Sequence, residues 1–414
     1  MVKTRVVLMP QYMGKFQCTG SKCEDNCCYG WKVNIDNKTY KKYRKSNESS
    51  LKFLLNSNIK RNRSNPSPEN YAKIRMKQNG DCPFLEEDKL CKIHKELGPE
   101  FLSKVCRIYP KFTNIVNEVY EKSATLSCPE MARLVLLNRD IMEFDELEES
   151  ADIDNNIMRQ ININDIRYSN KVKKYFWELR IFIITLLQNR KYSITNRLII
   201  LGLFLKKLQE CVNSEKIKIV PSIIQEYNNI IESGDLEKYL DSIPVNLSIQ
   251  MELMKEFNDH RFSTGFSQNA RPYINCVTEF LSGIEYTDKA KIEDIVKLYG
   301  EAYLSIYEPF MKDHEYILEN LLVNYVFNQL FPIESKWGVF EDYMRLVIYY
   351  SLIKMLLIGM SAYNKKLDER LIIRLVYSFS RAVEHNNVFF NNTFELFKQN
   401  GYNTMAYMAI LIKN

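Results

Sequence analysis

Eight of the ten cysteines in this 414-residue chain fall between Cys18 and Cys128. Cys18, Cys23, Cys27 and Cys28 open the set as C-x4-C-x3-C-C, and Cys82, Cys91, Cys106 and Cys128 complete it. Cys211 and Cys276 stand alone in a long apolar region. Thiols at this density bind a soft metal or cluster, form disulfides, or carry out thiol redox chemistry. A structural zinc site asks for four ligands in a tetrahedron, and an iron–sulfur cluster also takes four thiolates. The set suffices for two four-thiolate sites, or for one cluster with three or four ligands and further structural thiols. Neighbouring side chains diverge, so Cys27 and Cys28 either reach one centre through a kinked backbone or serve different centres. His94, three residues after Cys91, is a candidate imidazole ligand; the plainer reading is a partly exposed histidine at the start of a helix. His260, His314 and His385 share no ligand spacing.

Composition narrows these choices. A hydrophobic fraction of 46% and a charged fraction of 26% are those of a soluble globular protein. The net charge of +6 is mild for the length and does not argue for a nucleic-acid partner, and none is expected. The N-terminus MVKTRVVLMPQYMG has too short an apolar run for a secretory signal and no small-residue cleavage site. The longest apolar candidate for a membrane segment, Leu346 to Met360, spans 15 residues and contains Lys354. A span needs about 20 apolar residues, so a buried helix and no membrane span are expected. The expected compartment is the cytoplasm, where disulfides rarely persist. That favours a metal or cluster over a disulfide framework.

The elements that must position the thiols read as a mainly α protein: a small, irregular α+β cysteine-rich module followed by a multi-helix C-terminal domain. The division expected is 1–135 for the module, 136–169 for an acidic linker and 170–414 for an all-helical domain. Asp36 is placed to cap a helix running to about Asn56. That helix is basic, with Lys38, Lys41, Lys42, Arg44 and Lys45, and Lys60, Arg61 and Arg63 follow. The run is a solvated face or a docking surface for an acidic partner. Short strands are expected near 71–77, 90–93, 108–112 and 115–126, with one helix near 95–105, and Asn79-Gly80 favours a tight turn. A module this short of core is where a metal most helps folding. Past residue 170, apolar residues recur at three and four. Helices are expected at about 171–189, 194–212, 217–232, 246–259, 288–311, 313–330, 340–363 and 366–386. Ser193 and Asp368 are candidate caps, and Arg180, Lys206, Lys207 and Arg374 are expected on polar faces. Tyr175, Phe176, Trp177, Tyr349 and Tyr350 read as core.

Several motifs are absent. No two of the 13 glycines are separated by one residue, so G-x-G-x-x-G does not occur, and neither does G-x-x-x-x-G-K-[ST] or H-E-x-x-H. A nucleotide-like cofactor would not use a Rossmann phosphate turn. Cys23-x3-Cys27 begins the C-x3-C-x2-C loop of radical S-adenosylmethionine enzymes, but Gly30 holds the third position, so that motif is incomplete.

The opening cysteine run resembles the start of the zinc- or iron-chelating cysteine-cluster family, whose usual pattern is C-x2-C-x2-C-C. Cys82-Pro83-Phe84-Leu85, Cys91-Lys92-Ile93-His94 and Cys106-Arg107-Ile108-Tyr109-Pro110 match it further on. Val7-Leu8-Met9-Pro10-Gln11-Tyr12 and Leu102-Ser103-Lys104-Val105-Cys106-Arg107 are similar to the flagellin lysine-N-methylase family. The motifs cover residues 7–130; the remainder agrees in length and helical character. The resemblance implies transfer of methyl from S-adenosylmethionine to lysine ε-amines of flagellin by a protein-lysine N-methyltransferase with a cysteine-ligated iron–sulfur (4Fe-4S) cluster. Zinc is the alternative metal. The eight N-terminal cysteines are the candidate ligands, and Arg107, Tyr109 and Tyr12 are candidates to touch the cofactor. Such transfer requires the neutral amine, which desolvation in an apolar pocket favours. The competing readings are a non-enzymatic zinc or iron–sulfur binding protein with a helical interaction domain, and a thiol redox enzyme.

Overall fold

The computed structural model describes residues 3–46, 49–153, 155–168, 171–253, 270–287, 289–333, 338–384 and 387–414. It is mainly α, with two small sheets confined to the first 161 residues. The N-terminal segment is not a loose lead-in: it forms β1 (Thr4–Pro10), followed by the short helix α1 (Tyr12–Lys15).

The cysteine-rich region is built on three short strands, β2 (Asn34–Ile35), β3 (Ile59–Arg61) and β4 (Ala72–Ile74), in the order β2-β4-β3. Helix α2 (Asn37–Lys45) follows β2. Asp36 caps it, accepting from the Thr39 amide at 2.8 Å and the Thr39 hydroxyl at 2.6 Å. Helix α3 (Ser49–Asn58) leads into β3. Ile35, Tyr43, Ile74, Phe84 and Ile93 close a small separate core. The single helix expected near 95–105 is two, α4 (Lys92–Leu97) and α5 (Lys104–Ile108). Gly98, at φ +94°, and Pro99 end the first, and Ser103 caps the second. Cys91 makes one isolated bridge to Leu85 in place of the strand expected at 90–93. The strand expected near 71–77 is the shorter β4.

A five-stranded sheet links this region to the helices. β5 (Lys111–Val116) and β6 (Val119–Ala124) form a hairpin whose turn puts Asn117 at φ +56°, a conformation asparagine tolerates. β1 runs parallel to β6 and antiparallel to β7 (Phe144–Ser150), while β8 (Ile157–Ile161) lies parallel to β5, giving β7-β1-β6-β5-β8. The acidic stretch expected to be a linker is therefore largely sheet. Its charge is partly answered by its neighbours: Glu149 pairs with Arg5 at 2.7 Å and also with Lys122. Helix α6 (Pro129–Leu136) follows the sheet hairpin directly after Cys128.

The helical region contains α7 (Phe176–Leu187), α8 (Ile194–Asn213) and α9 (Val220–Ser233). Beyond them are helices Arg271–Gly283, Ile292–Ala302, Tyr316–Asn328, Val339–Asn364, Glu369–Phe379, Asn387–Gln399 and Met405–Ile412. The helix expected at 246–259 is helical over 247–253, and its remainder lies outside the described residues. Ser193 and Asp368 act as caps. Helix Arg271–Gly283, not anticipated, is entered through Pro272 at a position where the missing amide costs nothing. It packs on Val339–Asn364 so closely that a Cβ on Gly359 would meet the Phe280 carbonyl oxygen at 2.9 Å. Helix Val339–Asn364 is long and apolar enough to cross a membrane by length and composition, but 94% of its most apolar window is buried inside the protein.

Arg180 departs from its expected polar face. Its guanidinium is buried, bonds Glu121 of β6 at 2.5 Å, and lies 4.3 Å from the Phe176 ring centroid. A buried carboxylate on a central strand supplies the counter-charge that makes this burial tolerable. Of the aromatic residues read as core, Phe176, Tyr349 and Tyr350 are fully buried, while Tyr175 and Trp177 are half-buried.

Candidate metal and cofactor site

The kink that adjacent thiols require is present between Asp25 and Cys28. The Asp25 carboxylate accepts from the Asn26 amide at 2.8 Å, and the Asn26 side chain accepts from the Cys28 amide at 3.0 Å. The Cys28 carbonyl then accepts from the Cys82 amide at 2.9 Å, which ties the first cysteine loop to the turn Cys82–Leu85. The bridge between Leu85 and Cys91 ties that turn to the start of α4. Cys106 is placed by α5, whose cap at Ser103 accepts from the Cys106 amide. Cys128 stands at the N-terminus of α6, where amides of Glu130 and Met131 point at its sulfur.

All eight N-terminal cysteines line one cavity of about 830 Å³. The rest of its wall is largely apolar, including Phe16, Trp31, Val33 and Ile74. All the cysteines are free thiols. The Cys28 thiol hydrogen-bonds to both Cys27 and Cys91. Those bonds push the Cys28 thiol up and bring Cys27 and Cys91 below the ordinary thiol value. Burial pushes Cys82 and Cys106 up to about 12 and Cys128 to about 11. Cys23 is also raised by burial. Cys211 and Cys276 lie in the helical core, away from this cavity.

Among the described residues, no set of three or more His, Cys, Asp or Glu side chains closes around a common point as a finished metal site. The donor set nonetheless fits a thiophilic metal. Soft sulfur ligands from five segments of chain face one volume, and removing their protons would turn mutually hydrogen-bonded thiols into ligands. His94 is exposed and also lines the cavity.

Arg107 and Tyr109 both border the cavity. Tyr109 contacts the Ser127 hydroxyl at 3.1 Å and its ring lies 5.4 Å from Trp31. Tyr12 is elsewhere: it is buried under the sheet and donates to Asn324 at 2.7 Å. Residues not singled out from the sequence complete the site. Arg381, from the π-helical turn Ser380–Glu384 of the helical region, pairs with Asp25 at 2.6 Å and donates to the Ser127 carbonyl at 2.9 Å. Arg133 of α6 holds Glu24 at 2.5 Å. Two arginines from outside thus grip the cysteine loop through consecutive acids. The adjacent Glu24-Asp25 between Cys23 and Cys27 was the one signal in the sequence.

These features define a class of protein: a thiol-rich metal-binding module seated on a helical body that contributes to its wall. The comparisons with known proteins specify it further. Residues 180–411, more than half of the chain, match the FliB lysine N-methylase C-terminal domain, and residues 17–129 match the CxxCxxCC zinc- or iron-chelating domain. The chain belongs to the FliB lysine N-methylase family, and by that membership it is a protein-lysine N-methyltransferase. Lysine-N-methylase of Salmonella typhimurium is 23% identical over 93% of this chain and 94% of its own length. Lysine-N-methylase of Salmonella choleraesuis matches to the same extent. Flagellar biosynthetic protein FliU of Salmonella muenchen is 34% identical over 35% of this chain and 85% of its own length. No solved structure matches.

Proposed function

We propose that this protein transfers methyl from S-adenosylmethionine to lysine ε-amines of flagellin in the cytoplasm, with an iron–sulfur cluster held by thiolates of the N-terminal cavity. The observation that carries the reading is the meeting of all eight N-terminal cysteines at one cavity whose wall includes Arg381 of the methylase-family domain. The names of the Salmonella relatives, a lysine methylase and a flagellar biosynthetic protein, support the reaction and the substrate.

The chain's own residues suit that task. Cys27, Cys28, Cys82, Cys91 and Cys106, on neighbouring turns, are the nearest set for one centre, with Cys18, Cys23 and Cys128 beside them. A cavity of about 830 Å³ is within the usual range for a cofactor-sized ligand. Its apolar walls disfavour an ammonium group, which favours the neutral amine that must attack. Arg107 and Lys111 put positive charge at the exposed edge, where a donor carboxylate would be attracted. A bound cluster would supply an open iron for the methyl donor or one-electron chemistry, and zinc would supply a fixed fold.

Anaerobic purification with iron, sulfide and zinc analysis tests the metal. Broad absorption near about 400 nm is the expected cluster signature, and a colourless zinc protein overturns it. Incubation with flagellin and methyl-labelled S-adenosylmethionine, followed by mass spectrometry, tests the reaction. Label on lysine is expected; its absence from protein with an intact metal centre overturns the methylase reading.

A further inference from the structure

Thirteen lysines and arginines but only three acids lie between residues 32 and 77, which leaves the rest of the chain with 44 basic against 48 acidic residues. The mild positive charge of the whole protein is therefore concentrated on one small region. The structure displays part of it on the outer face of the three-stranded sheet. Lys60 of β3 and Lys73 of β4 are directly opposite in register, and both are exposed. Like charges in that position repel and weaken the sheet. Lys38, Lys41 and Lys45 of α2, and Arg61, Arg63, Arg75 and Lys77, are exposed as well, and none makes an ion pair with a described residue. The other faces of these same elements point into the thiol cavity, through Val33, Tyr43 and Ile74. Further exposed cations, Lys89, Arg107 and Lys111, stand at the cavity's own edge.

We infer that this face is a docking surface for an acidic protein segment, and that it selects protein substrates that carry such a segment in the same chain as the acceptor lysine. The inference rests on the lysine-methylation reading and adds its specificity. Unpaired like charges gathered on one face raise the local concentration of an oppositely charged partner and orient its approach. An acidic segment would bind the cations on the outer face while chain beyond it carries the acceptor lysine round to the cavity, where the exposed cations Lys89, Arg107 and Lys111 at its edge disfavour the ammonium form. The aromatic rings of the face do not make a nucleobase platform. Tyr40 and Tyr71 pack edge to face on each other at 5.2 Å, and Arg44 and Arg61 cover them at 5.2 and 4.4 Å.

The test measures binding apart from catalysis. Labelled peptides carrying one lysine with acidic, neutral or basic flanks are titrated by fluorescence anisotropy into the metal-loaded full chain without methyl donor. The acidic peptide should bind at least tenfold tighter than the basic one and weaken as salt rises. Lys60→Glu/Lys73→Glu should erase that preference, while Lys238→Glu on the helical region leaves it intact; circular dichroism confirms that each variant is folded. Equal binding of all three peptides, no effect of the paired reversal, or tighter binding of single-stranded DNA or anionic vesicles overturns the docking inference. An acidic peptide that binds but is never methylated leaves the docking surface standing and removes the methylase reading instead.

Discussion

In the helical region Phe204, Tyr343, Leu356 and Phe379 are wholly enclosed, and one continuous core runs from α7 to the C-terminal helix. In the cysteine-rich region a far smaller core surrounds Ile35, Phe84 and Ile93, while Cys18 and Cys27 still reach solvent. The first buries enough apolar surface to hold itself. The second has three strands of two or three residues each, helices of no more than ten residues, and thiols in place of apolar volume. A core this small gains order from the arginines that reach in from outside, and a bound metal would add to it. The larger region holds itself, and in the smaller one folding and metal loading would be linked.

Stripping the metal should divide the molecule along this line. Under chelation, limited proteolysis should cut within residues 18–110 first, methyl transfer should be abolished, and most far-ultraviolet helical signal should persist. Uniform melting of both regions would break the comparison. Phe204→Ala should do the reverse, costing about 3–5 kcal/mol as a core cavity, read by thermal unfolding of the helical region. Arg381→Ala probes the seam. Removing a group that orients ligands typically weakens metal binding about 10–100-fold. Metal content should fall, the helical melting temperature should barely move, and Arg381→Lys should restore part of the loss.

Lys354 gives a pH-dependent contrast. Burial lowers its ammonium to about 7, and its Nζ donates to the Ile412 carbonyl at 3.0 Å. The folded protein binds this proton less readily than the unfolded chain, whose lysine titrates near about 10.4. This group's contribution is therefore full above the unfolded value and is lost as pH falls through about 7. Chemical denaturation of the helical region should show stability rising from pH 7 to 10, and Lys354→Met should flatten that slope. The smallest effect belongs to Asp36→Ala, about 1 kcal/mol for a lost cap, confined to the cysteine-rich region. Burial raises the Asp36 carboxyl, but hydrogen bonds from the Thr39 hydroxyl and amide outweigh it and hold the carboxyl below its usual value. Its stabilisation should be present at neutral pH and fade as acid protonates it.

Local chemistry was readable in the chain. Asp36, Ser193 and Asp368 cap helices because a short oxygen-bearing side chain before an apolar repeat has one nearby set of amides to satisfy. The long helices followed from apolar spacing, and the thiol-rich start pointed to a metal. The acidic stretch misled because a strand built on adjacent acids looks like solvated linker until its partner is known; Arg5 and Lys122 supply that partner. Arg180 misled for the same reason, since Glu121 is remote in sequence.

The sequence alone determined the thiols on offer, the mainly helical class and the starts of the helices capped by Asp36, Ser193 and Asp368, because those depend on residue type and short-range spacing. Tertiary structure decided which thiols share a cavity, which charge faces which, and that Arg381 grips Asp25 across 356 residues of chain. Such pairings depend on where strands and helices pack in space, and no spacing along the chain encodes that distance.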